Sequence, residues 1–558
     1  MARPHLIDYR GKTGRPRRAS ALLSFGLAFG GVASLAACGR DTVPLAPQRT
    51  SAVSDGPTAG SPAKAPAAGN VAAGRDVFRF ETFGNEGFWT DAARLPKGMA
   101  DAKFTPRQAL EAGLQIDIEA VDPALRKVIE AESRTDLGAA SAPRLNDPDT
   151  MVALVNANAV VGIVAKDSNA DGRLDIKRGD KVGVSCTICH TITDKSVLNV
   201  PGGGSIGRRL DGPAALTLNV GKLLAMAANS RAFYPNLQHG LQGVTIGRAP
   251  SGLGPDSTEA QVDAYLSNPA YYPVGTFDET QDGHGNPVKN TPLFRQDLAA
   301  PFGSAGEFRL LHDISNASYT TNLDPTTLVT PEGRRFLEMK AGPAGKQMAD
   351  DYARILRDTG VTGFPFVKAD VVGKVGDPSS PVGRRVDRQK LMDMSAYLES
   401  LPAPAGANVD RRMAARGREM FRSSCTACHN VDQGQAVPPL LVDLKTLWPG
   451  YAPAVAGKRG DPALSPVLNS PGIFDDKMIV VDASDRGERR GNAMPLLLDL
   501  DRTTVFLHDA SVTSLADLLD PKRGADAPHA FYLAERSQRA DMVEFLRSLD
   551  SGLTGTSR

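Results

Sequence analysis

The chain has 558 residues, with 64 Lys and Arg against 63 Asp and Glu and a formal net charge of +1 at pH 7. That length exceeds one ordinary hydrophobic core and points to two domains plus tails. Hydrophobic residues make up 41% and charged residues 23%, the balance of a soluble globular protein. With no large basic block beyond the first twenty residues, nucleic-acid binding has no electrostatic support.

In chain order, a basic segment ("RGKTGRPRRAS") precedes an apolar run ("ALLSFGLAFGGVASLAA") that ends at Cys38. A positive region, a short apolar region and small residues before a break make residues 1–38 a secretory signal peptide rather than a spanning helix. The ending "LAAC" resembles the lipobox of bacterial lipoproteins, which implies lipidation of Cys38 and a membrane anchor. An ordinary cleavage site with a stray cysteine is the alternative. Either way the chain is exported, and a periplasmic, membrane-anchored lipoprotein is expected. Gly39 rather than Asp follows the cysteine, which leaves inner or outer membrane open. Residues 39–75 are rich in Pro, Ala, Gly and Ser without periodic apolar positions, the composition of a flexible tether. Order is expected from about residue 76, where "DVFRFETFGNEGFWTD" becomes dense in aromatics.

Residues 76–402 read as an enlarged first unit. Asp167, Asn169, Asp171, Gly172 and Asp175 match the first part of an EF-hand-type calcium loop, but position twelve is Arg178 instead of a bidentate Glu. Calcium held by fewer or other ligands is one reading; a solvated Asx–Gly turn is the other. Next comes "SCTICH", with Cys186, Cys189 and His190. The Gly-rich "NVPGGGSIG" lacks a following G-K-[ST], so close backbone approach explains it better than a nucleotide. A helix is expected from about Leu216 to Ser230, and another over "RRVDRQKLMDMSAYLESL", where Leu391, Met394, Tyr397, Leu398 and Leu401 recur at helical spacing. "PAPAG" then breaks the chain near residue 402.

Residues 403–558 form a more compact unit. "MAARGREMFRSSCTACH" reads as a helix running into a second motif, Cys425, Cys428 and His429. "RADMVEFLRSLD" closes this unit as the earlier helix closes the first, with Met542, Phe545, Leu546 and Leu549 on one face. The whole predicts a mainly α fold of two cytochrome c-like domains with long irregular loops and little sheet.

Four of the five cysteines lie in the two C-x-x-C-H motifs. One such motif by chance is expected about once in a thousand such chains, so two are not accidental. The spacing lets both thiols add across the vinyl groups of one haem, while the adjacent His lies under the iron; two covalently bound haem c groups are expected. A redox dithiol or half a zinc site would not require the His or the export signal. The sixth ligand then separates electron transfer from chemistry on an exchangeable ligand. For the second haem, Met494 of "GNAMPLLLDL" is the leading axial candidate, with His529 and His508 as alternatives. In the first unit His239, His284 and His312 are available; His312, flanked by apolar residues, is the distal-side and catalytic candidate, and His284 sits in a turn sequence.

These motifs resemble the bacterial di-haem cytochrome c peroxidase and MauG superfamily, as do "AMPLLLDLDRTTVFLHDASVTSLADLL" and "SIGRRLDG". The resemblance implies an all-α pair of cytochrome c domains in which one haem transfers electrons and the other does oxidative chemistry. The "F-x-D-G-R-A" run that follows the first haem in true peroxidases is missing, and the enlarged first unit resembles more distant members such as the haem-dependent rubber oxygenases. The expected function is an oxidoreductase, with electrons entering at the C-terminal haem and peroxide reduced at the N-terminal one. A non-catalytic electron-transfer cytochrome and a haem-dependent oxygenase are the alternatives. The expected partners are a small redox donor protein of cytochrome c or cupredoxin type, hydrogen peroxide or oxygen, and a membrane through the lipid anchor.

Overall fold

The computed structural model describes residues 68–237, 254–269, 272–277, 288–299, most of 302–425, then His429, the pairs 441–442, 464–465, 480–481 and 492–493, and most of 496–549. The signal segment with Cys38, and also His239, His284, Cys428, Met494 and His508, lie outside the described residues. The described chain is helix-rich with little sheet, and none of its strands exceeds four residues. None of its helices is long and apolar enough to cross a membrane.

Helix Val71–Phe80 begins inside the stretch read as tether. Asn70 caps it, its side chain accepting from the Ala73 N–H at 3.0 Å, and Asn70 N–H donates to Asp393 at 2.8 Å. The helix crosses Arg388–Ser400 closely; a Cβ on Gly74 would collide with the Asp393 carbonyl. Leu391, Met394, Tyr397 and Leu398 face inward as their spacing predicts, and with Phe78, Phe83, Leu311 and Tyr319 they make one core.

A larger core lies around Phe88, Trp89 and Phe233, whose rings meet at centroid separations of 5.4–5.7 Å. Short strands cover it. Ile163–Lys166 pairs antiparallel with Lys181–Val184, Thr191–Thr193 with Arg209–Asp211, and Ser205–Gly207 lies between Ile116–Asp117 and Leu198–Asn199. The glycine cluster serves this packing: side chains on Gly203 or Gly204 would strike the carbonyls of Leu110 and Leu114.

The helix expected over residues 216–230 is much shorter, Val220–Leu224. Asn219 caps its start, and beyond it the Ala228 and Asn229 amides turn away to the carbonyls of Arg94 and Ala93. Tertiary hydrogen bonds there outcompete helix propensity.

After the irregular segment 401–410, Asp410 caps helix Arg411–Ser424. That helix packs against Arg536–Arg547 around Phe421, Met542, Phe545 and Leu546, with Phe506, Val512 and Leu515 completing a third core. Gly417 permits the close crossing at the Asp541 carbonyl, and Arg416 clamps the Asp541 carboxylate with bonds of 2.7 and 2.6 Å.

Candidate functional sites

The first C-x-x-C-H motif is a single helical turn, Thr187–His190, between two strands. Its entry is fixed by Asn85, whose side chain brackets the Val184 peptide at 2.8 and 3.0 Å, and by Ser185 Oγ donating to the Arg79 carbonyl at 2.9 Å. Its exit is fixed by the residues that follow strand Arg209–Asp211: Gly212 N–H donates to the His190 carbonyl at 2.8 Å and Ala215 N–H to that of Cys189 at 2.9 Å. Gly162, at φ +82°, lies beneath the turn, where any Cβ would meet the backbone of Ile188.

Cys186 and Cys189 are not bonded to each other, and both are half-buried. Cys186 packs against the core of Leu391 and Tyr319, Cys189 against the core of Phe88 and Trp89. Burial pushes the Cys186 thiol up to about 11, against the relief of its 3.3 Å hydrogen bond to the Tyr319 hydroxyl, and the Cys189 thiol up to about 12. A redox dithiol needs a thiolate near neutral pH, so this environment disfavours that chemistry.

His190 Nδ1 lies 2.6 Å from the Thr291 carbonyl oxygen. A carbonyl only accepts, so the proton sits on Nδ1 and Nε2 carries the lone pair. Burial pushes the imidazole down to about 4, and the Thr291 bond only partly opposes it. Near neutral pH this is a neutral ring, held in one tautomer, with its other nitrogen available to a metal.

His312 stands at the start of helix Leu311–Ala317, whose Leu311, Ile314 and Ala317 pack in the same core as Cys186. Its Nε2 is buried without a hydrogen bond, 3.6 Å from an Asp313 carboxylate oxygen. Burial, with Arg388 and Arg385, lowers the His312 pKa; burial raises Asp313 to about 6. His312 makes no hydrogen bond to Cys186, Cys189 or His190.

The expected calcium loop joins the hairpin strands Ile163–Lys166 and Lys181–Val184. Its acidic side chains cap their own backbone. Asp167 accepts from Asp171 and Gly172, Asn169 from Asp171, Asp171 from Arg173, and Asp175 from Lys177, at 2.9–3.1 Å. These are the hydrogen bonds of Asx turns, and among the described residues no group of three or more His, Cys, Asp or Glu is arranged to hold a metal ion.

At the second motif helix Arg411–Ser424 ends on Cys425, whose N–H donates to the Phe421 carbonyl at 2.8 Å, and His429 N–H donates to the Cys425 carbonyl at 2.9 Å. The His429 ring lies 6.2 Å from Phe421 and 6.3 Å from the His529 ring, the two imidazoles inclined at 54°. Burial pushes both down to about 4, His529 with additional help from His429 and Arg523. His529 holds a φ of 55°.

Three participants carried no signal in the sequence. Thr291 acts through its backbone, Tyr319 is one buried tyrosine among several, and Asp211 beside the first motif is an unremarkable strand residue. Asp211 Oδ2 accepts from Arg79 at 2.6 Å and from the Tyr397 hydroxyl at 2.6 Å, while Oδ1 accepts from Thr191 at 3.1 Å.

No protein-family model and no curated protein matches this chain. Among solved structures, a chain of Kuenenia stuttgartiensis hydrazine synthase pressurised with xenon is similar over 56% of this chain and 87% of that one, at 13% identity and a TM-score of 0.26. A likeness that slight carries no argument about this fold.

Proposed function

We propose that the chain is an exported di-haem c-type cytochrome and an oxidoreductase, built as two cytochrome c-like units. Electrons enter at the Cys425/Cys428/His429 haem, and hydrogen peroxide is reduced at the Cys186/Cys189/His190 haem. The observation that carries this reading is the His190 imidazole, bonded through Nδ1 to Thr291 beside two unbridged thiols in one helical turn. That donor set fits a covalently attached haem with His190 Nε2 as its axial nitrogen. Export and anchoring through Cys38 belong to the same proposal, as does a small cytochrome c or cupredoxin as electron donor.

Bound at these residues, haem supplies one-electron redox chemistry and a coordination position for a small oxidant. The chain supplies the rest. Thr291 fixes the ligating tautomer of His190, and the core around Tyr319 and Leu391 keeps water from one side of the site. His312 and Asp313 are the proton-holding pair, a neutral imidazole beside a carboxyl that titrates at about 6. Overall, one peroxide takes two electrons and two protons and leaves as two waters.

The test is the electron paramagnetic resonance and visible spectrum of the holoprotein, as isolated and half-reduced, with and without peroxide. One exchangeable haem that responds to peroxide, with turnover of a reduced donor, is expected. Two low-spin haems indifferent to peroxide and carbon monoxide would leave an electron-transfer protein instead. An oxygenase would consume oxygen with an organic substrate and need no protein donor.

A further inference from the structure

We propose that Tyr319 positions the Cys186 sulfur for attachment to the first haem, while Cys189 bonds without such help. The inference rests on the di-haem reading above, and Tyr319 lies 133 residues from Cys186, outside the C-x-x-C-H motif.

The backbone around Tyr319 is unusual. Helix Leu311–Ala317 widens into a π-helical turn, Ser318–Asn322, where the Leu323 N–H reaches back to the Ser318 carbonyl at 3.0 Å. The Thr320 and Thr321 hydroxyls donate to the Asn316 and Ala317 carbonyls at 2.8 and 2.7 Å, a pattern that bends helices. Single π-helical turns are rare and recur at functional sites. This one sets Tyr319 in the core that takes Cys186.

The phenol is fixed on the chain, and the thiol is fixed on the phenol. Tyr319 is 0% exposed, and Phe83 meets its ring nearly edge-on, with centroids 4.6 Å apart and planes at 72°. Its hydroxyl donates to the Glu81 carbonyl at 3.1 Å, which commits its one proton. The oxygen is left to accept, and the Cys186 thiol donates to it at 3.3 Å. Packing alone would be served by Phe, which buries no hydroxyl in need of partners. Among the described residues no hydrogen bond holds the Cys189 sulfur, although it is buried in the neighbouring core.

Attachment adds the S–H bond across a vinyl double bond. A sulfur–carbon bond forms, the hydrogen goes to the other vinyl carbon, and nothing is oxidised or reduced. With its hydrogen turned to Tyr319, the Cys186 sulfur presents its lone pairs away from the hydroxyl. A sulfur already held in one orientation loses less freedom on reaching the bond-forming geometry than one that rotates.

The test uses the full-length holoprotein, with the thioether bonds at each motif mapped by mass spectrometry of haem peptides. In Tyr319→Phe, chains whose first haem is bonded to Cys189 alone should rise several-fold over the native protein. The absorption of the haem in alkaline pyridine should shift with them, because one vinyl group stays unsaturated. Only chains that carry the second haem are counted, which separates this effect from general misfolding. In a Cys186→Ala background, adding Tyr319→Phe should change nothing at Cys189, because Tyr319 acts through Cys186. If Tyr319→Phe yields no folded chain, 3-fluorotyrosine at position 319 keeps the ring and hydroxyl but weakens the oxygen as an acceptor. It should raise the singly bonded fraction in smaller measure. Native levels of both thioether bonds in Tyr319→Phe, equal losses at Cys186 and Cys189, or a further loss in the Cys186→Ala background overturn the inference. A native chain without haem at Cys186 and Cys189 sinks the di-haem reading itself.

Discussion

The Tyr397 hydroxyl donates to the Asp211 carboxylate at 2.6 Å, tying helix Arg388–Ser400 to strand Arg209–Asp211, which pairs with the strand that leaves His190. Arg79 and Thr191 hold the same carboxylate, whose side chain is only 2% exposed. Tyr397→Phe removes one charge-assisted bond and should cost about 2 kcal/mol. Asp211→Ala strands the Arg79 charge and should cost more, about 3–5 kcal/mol. Denaturant unfolding of both variants measures this; equal losses would mean that the carboxylate is not the hub.

The glycine beneath the first motif offers a second measurement. Gly162→Ala places a methyl group against the Ile188 backbone at a φ of +82°. Strain at such a position costs about 1–3 kcal/mol before any clash is counted. Lower thermal stability and fewer haems per chain are expected. A variant that loads two haems normally would show that the turn can shift.

Haem stoichiometry can be read by mass. Replacing Cys186 and Cys189 with Ala should remove the mass of one haem, replacing Cys425 and Cys428 the other, and each should leave the remaining spectrum in place. Loss of both groups from either double variant would point to a single shared cofactor.

Asp313 gives stability a pH dependence whose sign is fixed. Burial raises its carboxyl to about 6, while the unfolded chain titrates near its ordinary value of about 4. Between those values the folded state binds the extra proton, so this contribution is full at the acid end and is lost as pH rises through about 6. Asp313→Asn should flatten that slope in unfolding midpoints taken from pH 4 to pH 7. An unchanged slope would remove Asp313 from the account.

The closing helices were readable because one buried stripe fixes a helix: Leu391, Met394, Tyr397 and Leu398 are buried, as are Met542, Phe545 and Leu546. The two C-x-x-C-H motifs are legible in the sequence because thiol and imidazole spacing is local. What escaped depends on the rest of the fold. The Thr291 carbonyl is 101 residues from His190, and no side-chain pattern announces a backbone acceptor. The helix near residue 220 ends early for amide bonds to residues 93 and 94, which no local propensity encodes. His529 could be named as a candidate, but only its placement beside His429 distinguishes it from other histidines.

Cys186 packs against one hydrophobic core and Cys189, three residues on, against another. A group bonded to both sulfurs is therefore a rivet through the seam where the two cores meet. Such a bond would join the two cores through side chains as well as through the backbone of residues 186–189, so loading the group would also be an assembly step. A chain without such a group would lose cohesion along that line first.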